Sequence, residues 1–393
     1  MNILMILMNN YFPPDVRVMK ETKALIKEGH NIFLIARRRS DQLKKEVFSN
    51  VLVFRYTLSP ASRNVHALLK HVVFICPLLL RIIKIVQRYR IDVLHVHDLP
   101  FSLVVVIAGK LLNKPVVFDM HEDYCELAKF GGIVRGLGEK CQPMATFVSA
   151  ALRMEELLSS KMATKVIVVV DEFRYKLRRS GVLPRKIEVI SNTVDTEELS
   201  KIRPKTHNEG NSKEKFLISY IGGFSEHRGL DTLVKALPLI LREVPNAHLL
   251  LVGNGMMRRT LEKLAQDLNV MNDVTFTGWV SFDEAMNYVS MSDLCVIPHL
   301  ITSLPHKFFQ YMYFGKPILS SDTTSLKRMV EKAKCGIVFR AGDPEDLAKK
   351  LIEAKRNGIL EQLGLNGKKA VETKYNWNET SKKLVKLYEE VMN

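Results

Sequence analysis

Short apolar runs alternate with helical patterns along this chain, and they do so in two successive sets. In the first half the runs are Ile3–Met8, Asn31–Ile35, Asp92–His97, Val116–Asp119 and Val166–Val170. In the second they are Phe216–Ile221, His248–Val252, Val274–Thr277, Leu294–Pro298 and Ile318–Ser321. Near-continuous apolar runs of this length suit parallel strands buried on both faces, with the intervening helices as cover. The pattern predicts two doubly wound α/β domains with a ligand crevice at the carboxyl ends of their strands. Between the sets, Arg203 to Lys215 breaks the alternation with Pro204, Gly210, Asn211 and Ser212 and reads as a linker. The expected division is 1–202, a linker at 203–215, 216–375, and an amphipathic helix in 376–393. A chain of 393 residues is long enough for two full cores.

The stretch Thr302 to Pro317 lies between two of these strands and reads as loop, helix and stop. Pro305 suits the first turn of a helix, and Gly315 with Pro317 suits its end. Ser303 and Leu304 then precede the helix, where free N–H groups and the positive end of the dipole favour phosphate. Lys307 adds a full charge one turn in, and Gln310 follows on nearly the same face. The alternative is a buried helix whose lysine reaches out to water.

This stretch resembles the signature of retaining, group 1 (family 4) glycosyltransferases with the GT-B fold, which often reads S-L-P-x-K-x-F-E-Y-M-x-x-G-K-P. The resemblance implies two Rossmann-like domains facing across a cleft, with a C-terminal helix crossing back to the first domain. It departs from the family at Gln310, where a Glu usually binds the donor ribose. A charged acceptor contributes roughly 1.5–3 kcal/mol and a neutral one roughly 0.5–1.5. The change therefore weakens the donor by about tenfold without abolishing the site.

Three further segments of the second domain carry the resemblance. Ser219 to Gly229 runs from a strand into a glycine loop, like the family's G-x-x-x-x-[KR]-G, and places Gly222, Gly223 and Arg228. Arg228 is implied to neutralise the donor diphosphate, which its planar fork suits. Gly253 and Gly255 follow the next strand like the family's V-G-x-G. Trp279 and Val280 match residues lining the base pocket, although a buried core tryptophan reads equally well.

In the first domain, His95, His97 and Asp98 end one strand, and Asp119, His121, Glu122 and Asp123 end the next. The run "VVFDMHEDYCE" resembles the family's D-x-H-E segment. That implies that His121 contacts the transferred sugar or donor phosphate, with Asp98 and Glu122 on the acceptor side. Arg17, after Pro13-Pro14, resembles a loop arginine of relatives and is a further acceptor-side candidate. His and carboxylate are also ligands for zinc or manganese. The spacing here contains neither an i, i+4 histidine pair nor D-x-D, so no metal is expected.

The net charge of +16 calls for anionic partners. No nucleic-acid motif accompanies it, so nucleotide diphosphates and acidic lipids are expected instead. Within 65–90 a long apolar stretch carries Arg81, Lys84 and Arg88 as one basic stripe. Its charges and Pro77 exclude a membrane span. It reads either as an interfacial helix on anionic lipid or as a core helix with a solvated edge. The five scattered cysteines suit a reducing compartment. Met1 to Met8 reads as a first core strand and not a signal peptide. The expected location is the cytoplasm, at the inner face of the membrane.

Together these readings imply a metal-independent, hexosyltransferase-type enzyme that needs no cofactor. It would move a sugar from a nucleoside diphosphate, UDP ahead of GDP, to a hydroxyl of a glycan or lipid-linked acceptor. Surface polysaccharide or glycolipid synthesis is the implied setting. Two alternatives are a non-catalytic nucleotide-sugar scaffold, motivated by Gln310, and a GT-B nucleotide-sugar epimerase.

Overall fold

The computed structural model describes residues 1–57, 66–129, 142–203 and 215–392. Almost all of the linker expected at 203–215 lies outside these residues. The chain forms two compact units, one of Met1–Ser191 with Thr380–Asn393 and one of Asn192–Glu379. The division at Ser191 precedes the boundary expected at 202. The cause is local: Val194 pairs with Asn376, and the Trp377 N–H donates to the Val194 carbonyl at 2.7 Å.

The strands of the first unit are β1 (Asn2–Tyr11), β2 (Asn31–Arg37), β3 (Lys45–Phe48), β4 (Val51–Tyr56), β5 (Val93–His97), β6 (Val116–Met120), β7 (Lys165–Val168) and β8 (Ile187–Val189). They form one sheet in the order β3-β4-β2-β1-β5-β6-β7-β8, parallel except for β3 against β4. The apolar pattern does not anticipate that edge hairpin. Strand β3 is short and exposed, and its turn at Ser49 and Asn50 takes φ of 48° and 64°, the twist of a tight hairpin. Strands β5 and β6 are buried at every position, as the continuous apolar runs require.

The strands of the second unit are β9 (Phe216–Ile221), β10 (Ala247–Val252), β11 (Val274–Gly278), β12 (Leu294–Ile297), β13 (Ile318–Ser321) and β14 (Gly336–Phe339). Their order, β11-β10-β9-β12-β13-β14, is that of a dinucleotide-binding sheet. Its core gathers Phe216, Ile218, Leu249, Leu251, Leu294 and Val296 from the central strands.

In each sheet the order reverses beside the first strand, between β1 and β5 and between β9 and β12. Connections leave such a point to opposite faces and open a crevice at the carboxyl ends.

The helix Trp377–Met392 starts in the second unit, and from Thr380 it belongs to the first. Leu384, Leu387, Tyr388 and Val391 form its buried stripe, at the spacing of one helical face. In the helix His66–Tyr89, Leu78, Ile82, Ile85 and Val86 are buried while Arg81, Lys84 and Arg88 are exposed. The second half of the stretch read from 65–90 is thus a core helix with a basic edge. Among the described residues no helix is long and apolar enough to cross a membrane.

Candidate active site

The second unit brings the expected donor segments together at its reversal point. The loop after β9 and the loop after β10 run side by side. The Gly222 N–H donates to the Val252 carbonyl, the Phe224 N–H to that of Asn254 and the Met257 N–H to that of Phe224, at 2.9 to 3.0 Å. Such contact leaves no space for side chains. A Cβ at Gly253 would fall 2.1 Å from the Gly222 carbonyl oxygen, and φ there is +134°. A Cβ at Gly255 would fall 2.5 Å from the Phe224 carbonyl oxygen. Gly223 is different, with nothing within 4 Å of its Cβ position. Its lack of a side chain keeps the mouth of the loop open.

Lys307 projects from the helix His306–Tyr313 onto this loop. Its ammonium lies 3.8 Å from the centre of the Tyr220 ring, and a Cβ at Gly222 would approach it to 2.7 Å. Burial and then the charge of Arg228 push its pKa well below the usual lysine value. Arg228 stands in the short turn Glu226–Arg228 and is half-buried. The same neighbourhood holds His227, driven down to about 4 by burial, Arg228 and Lys307. With Lys307 and His227 both held down by burial and by the Arg228 charge, the site gains from an arriving anion.

Pro305 caps the helix instead of lying in its first turn. Ahead of it, the N–H groups of Ser303 and Leu304 donate to no other group of the described residues. The Leu304 side chain is buried and Ser303 is half-exposed. Gln310 is half-buried, and its amide has no hydrogen-bond partner among the described residues. It is available to ligand hydroxyls, as acceptor and donor. Trp279 is 70% exposed, which overturns its reading as a core residue, and Val280 beside it is half-buried. Gly278, just before it, pairs with Gly253, so both residues lie next to the glycine loops.

In the first unit, parallel register sets His97 beside Asp119 at the ends of β5 and β6. Asp119 is the hub. Its Oδ2 lies 2.8 Å from Nε2 of His121, 2.9 Å from Nε of Arg17 and 3.4 Å from Nδ1 of His97. Its Oδ1 accepts from Nη2 of Arg17 at 3.0 Å. Burial alone would raise this carboxyl, but Arg17 and His121 hold it well below the usual range.

His121 is held from both sides. Nδ1 is 3.1 Å from Oδ2 of Asp98, Nε2 is 2.8 Å from Asp119, and its backbone N–H donates to Oδ1 of Asp98 at 2.8 Å. Burial would lower its pKa, but Asp119 and Asp98 outweigh it and raise it well above the ordinary value. The ring is an imidazolium with both N–H groups engaged. It can offer positive charge to a ligand but cannot take up a proton as a base.

Two residues expected on the acceptor side are thereby engaged elsewhere. Arg17 is 3% exposed, because its guanidinium pairs with Asp119, lies 3.0 Å from Glu21 and also donates to the Ile190 carbonyl at 3.0 Å. Asp98 is 7% exposed, takes the left-handed φ of 60°, and gives both carboxylate oxygens to His121. Both position His121 and leave an acceptor no free group. Glu122 alone of the three is half-exposed beside it. The carboxylates of Glu21 and Asp119 with His95 and His97 have metal-ligand composition. The cation among them is Arg17, 3.0 Å from Glu21 and 2.9 Å from Asp119.

Glu21, Tyr388 and His299 were not singled out by the sequence. His299 lies two residues past the end of β12, and a polar residue at the carboxyl end of a strand is a signal available in advance. Glu21 has none, since an Arg and Glu four apart on a helix usually face water.

The sequence profile of glycosyl transferases group 1 matches residues 202–376, and that of glycosyltransferase family 4 matches residues 16–198. The chain belongs to the group 1, family 4 glycosyltransferases. It is 32% identical, over 40% of this chain and 43% of the relative, to a GDP-mannose-dependent alpha-(1-6)-phosphatidylinositol monomannoside mannosyltransferase of Mycobacterium tuberculosis. It is 22% identical, over 79% of this chain and 78% of the relative, to a UDP-Gal:alpha-D-GlcNAc-diphosphoundecaprenol alpha-1,3-galactosyltransferase of Escherichia coli. Its fold matches that of sucrose-phosphate synthase from Thermosynechococcus elongatus, at a TM-score of 0.77 and 19% identity over 99% of this chain and 98% of the other. The fold of this glycosyltransferase is accordingly GT-B.

Proposed function

We propose that this glycosyltransferase moves a sugar from a nucleoside diphosphate, UDP before GDP, to a hydroxyl of a glycan or lipid-linked acceptor, with retention and without metal. One observation carries the donor half. Arg228, Lys307 and the N–H groups of Ser303 and Leu304, unpaired among the described residues, gather at the reversal point of the second sheet. The leaving diphosphate gains negative charge as the glycosidic bond breaks. Fixed cations and backbone dipoles stabilise that charge where it develops, the part a bound divalent ion would otherwise take. The glycine loops at Gly222–Gly223 and Gly253–Gly255 let the phosphates approach the backbone. Trp279 and Val280 flank the base, and Gln310 meets the ribose.

His121 offers positive charge to a ligand at the strand ends of the first unit. With both ring N–H groups held by carboxylates it cannot be the base that activates the acceptor. Attack from the face of the departing phosphate, with that phosphate taking the acceptor proton, needs no such base and gives retention. Glu122, half-buried and next to His121 in the chain, is the acceptor-side candidate on this reading.

The M. tuberculosis and E. coli relatives, as named, both act on lipid-borne sugars, and this favours a lipid-linked acceptor and glycolipid or polysaccharide synthesis. UDP stands before GDP on this reading because the UDP-named relative aligns along 79% of this chain and the GDP-named relatives along 58% and 40%. The exposed Arg81, Lys84 and Arg88 suit anionic headgroups on the inner face of a membrane. Beside them lies a cavity of about 270 Å³ whose lining includes Lys44, Arg55, Tyr56, Pro77, Leu78 and Arg81.

Thermal unfolding with UDP, GDP, ADP and their sugars tests the reading, with Lys307→Ala beside the wild type. A ligand at about 100 times its dissociation constant stabilises by roughly 2.7 kcal/mol. One nucleotide should raise the wild-type midpoint, and the variant should lose the shift. No shift with any nucleotide defeats the proposal.

A further inference from the structure

His299 touches both segments of the donor site and is itself fully buried. Its carbonyl accepts from Oγ of Ser321 at 2.6 Å, which anchors it to the end of β13. Its Nδ1 lies 2.8 Å from Oγ of Ser303. Nη1 of Arg228 lies 3.3 and 3.2 Å from its two ring nitrogens. Near-equal distances to nitrogens whose in-plane directions diverge place the guanidinium over the ring face, where a cation is attracted to the π-system.

The surrounding backbone reinforces the link. The Leu300 N–H donates to the His227 carbonyl at 2.9 Å, and a Cβ at Gly229 would fall 2.1 Å from the Pro298 carbonyl oxygen. The turn bearing Arg228 is therefore pressed against the loop that leads to Ser303. Burial, then Arg228, Lys307 and His227, hold the imidazole in its neutral form. A neutral ring can lie under a guanidinium that a charged one would repel.

We propose that His299 is a positioning residue that couples Arg228 to the Ser303–Leu304 loop, so that both meet one nucleoside diphosphate. The inference rests on the donor reading above. Arg228 rides on the ring face and Ser303 on the ring edge, so a displacement of either is felt by the other. The Arg228 and Lys307 charges oppose each other when the site holds no anion, and the ring keeps Arg228 in place.

The experiment is calorimetric binding of UDP, GDP and ADP to the wild type, His299→Asn, His299→Phe, Arg228→Ala and the double variants. The Asn variant keeps an acceptor for Ser303 but no ring for Arg228, and the Phe variant does the reverse. Each should weaken the bound nucleotide about tenfold. In the Arg228→Ala background the Asn change should cost less than about twofold, because the group it positions is gone. A residue that only supports the fold would lose equal affinity in both backgrounds, and that outcome overturns the inference, as does full affinity in either single variant. Ser303→Ala, at a half-exposed position, asks the same question through its own cycle with Arg228→Ala should the His299 variants not fold. Additive losses there also overturn it. Failure of the wild type to bind any of the three nucleotides overturns the donor reading and this inference together. Binding by the wild type with additive cycles overturns this inference alone.

Discussion

The hydroxyl of Tyr388 lies 2.7 Å from Nδ1 of His95, so the C-terminal helix reaches into the polar core beneath His121. The other ring nitrogen faces Oδ2 of Asp119 at 3.8 Å and Oε2 of Glu21 at 4.0 Å. The Asp119 carboxylate on that side favours an N–H there, which leaves Nδ1 as acceptor and Tyr388 as donor. His95 stacks on His97 with ring centres 4.2 Å apart, and His97 in turn faces His121 at 3.4 Å. The last helix of the chain is thus wired to the charged residue of the site through two stacked rings.

Tyr388→Phe removes one hydroxyl and leaves a buried ring nitrogen without its donor. Such a loss costs about 1–3 kcal/mol. Urea unfolding should show a lowered midpoint with an unchanged slope. A loss below about 0.5 kcal/mol, the scale of an ordinary surface change, would show that the hydroxyl holds nothing.

Glu21 makes the stability of the first unit depend on pH. Burial and the neighbouring Asp119 carboxylate, against the pull of Arg17, raise its carboxyl from 4.5 to about 8. Between those values the unfolded chain releases a proton that the folded chain keeps. The group's contribution is therefore complete below about 4.5, falls as pH rises, and is gone above about 8. Glu21→Gln carries a neutral side chain at every pH. Its stability relative to wild type should rise across that window and level off above it. Parallel urea titrations across the same window measure the difference, and a constant difference would mean that Glu21 is ionised in the fold.

The two sheets were legible because strands buried on both faces must be apolar throughout, as β5, β6, β10 and β12 are; the order of their strands was not, since it is set by tertiary packing. The segments around Arg228, Lys307 and Gly253 could be placed in advance as strand-to-helix junctions, and the structure sets them at the ends of β9, β10 and β12; that they hold a donor is the proposal. The partners of His121 were not. Arg17 and Glu21 sit four apart on a helix, the usual spacing of a solvated pair, and only tertiary packing turns that face inward. Tyr388 and His95 are separated by 293 residues, so no local pattern joins them. Trp279 shows the reverse error, a large ring that composition would bury and that stands at the surface instead.

Gly229→Ala should damage the donor site from beneath. The residue has φ of 63°, and its Cβ would lie 2.1 Å from a backbone oxygen. The conformation alone costs roughly 1–3 kcal/mol for a residue with a side chain, and the contact forces the Arg228 turn away from β12. The variant should melt lower and lose nucleotide binding together. Gly223→Ala, with open space around it, is the control and should melt like the wild type.

Gln310→Glu should strengthen the donor. The amide has no hydrogen-bond partner among the described residues, so exchanging it breaks nothing in the fold. A carboxylate accepts from ribose hydroxyls with a charge-assisted bond, stronger than the neutral one by on the order of 1 kcal/mol. Lys307, one turn earlier on the same helix, and Arg228 nearby compensate the added charge. The dissociation constant of the donor nucleotide should fall about tenfold, with the melting midpoint of the ligand-free protein nearly unchanged. A nucleoside diphosphate lacking ribose hydroxyls should bind both proteins equally, because the gained bond has no partner there. Equal gain for the deoxy and ribo forms would place Gln310 away from the sugar ring of the nucleotide, and no gain for either would show that the amide does not meet the donor.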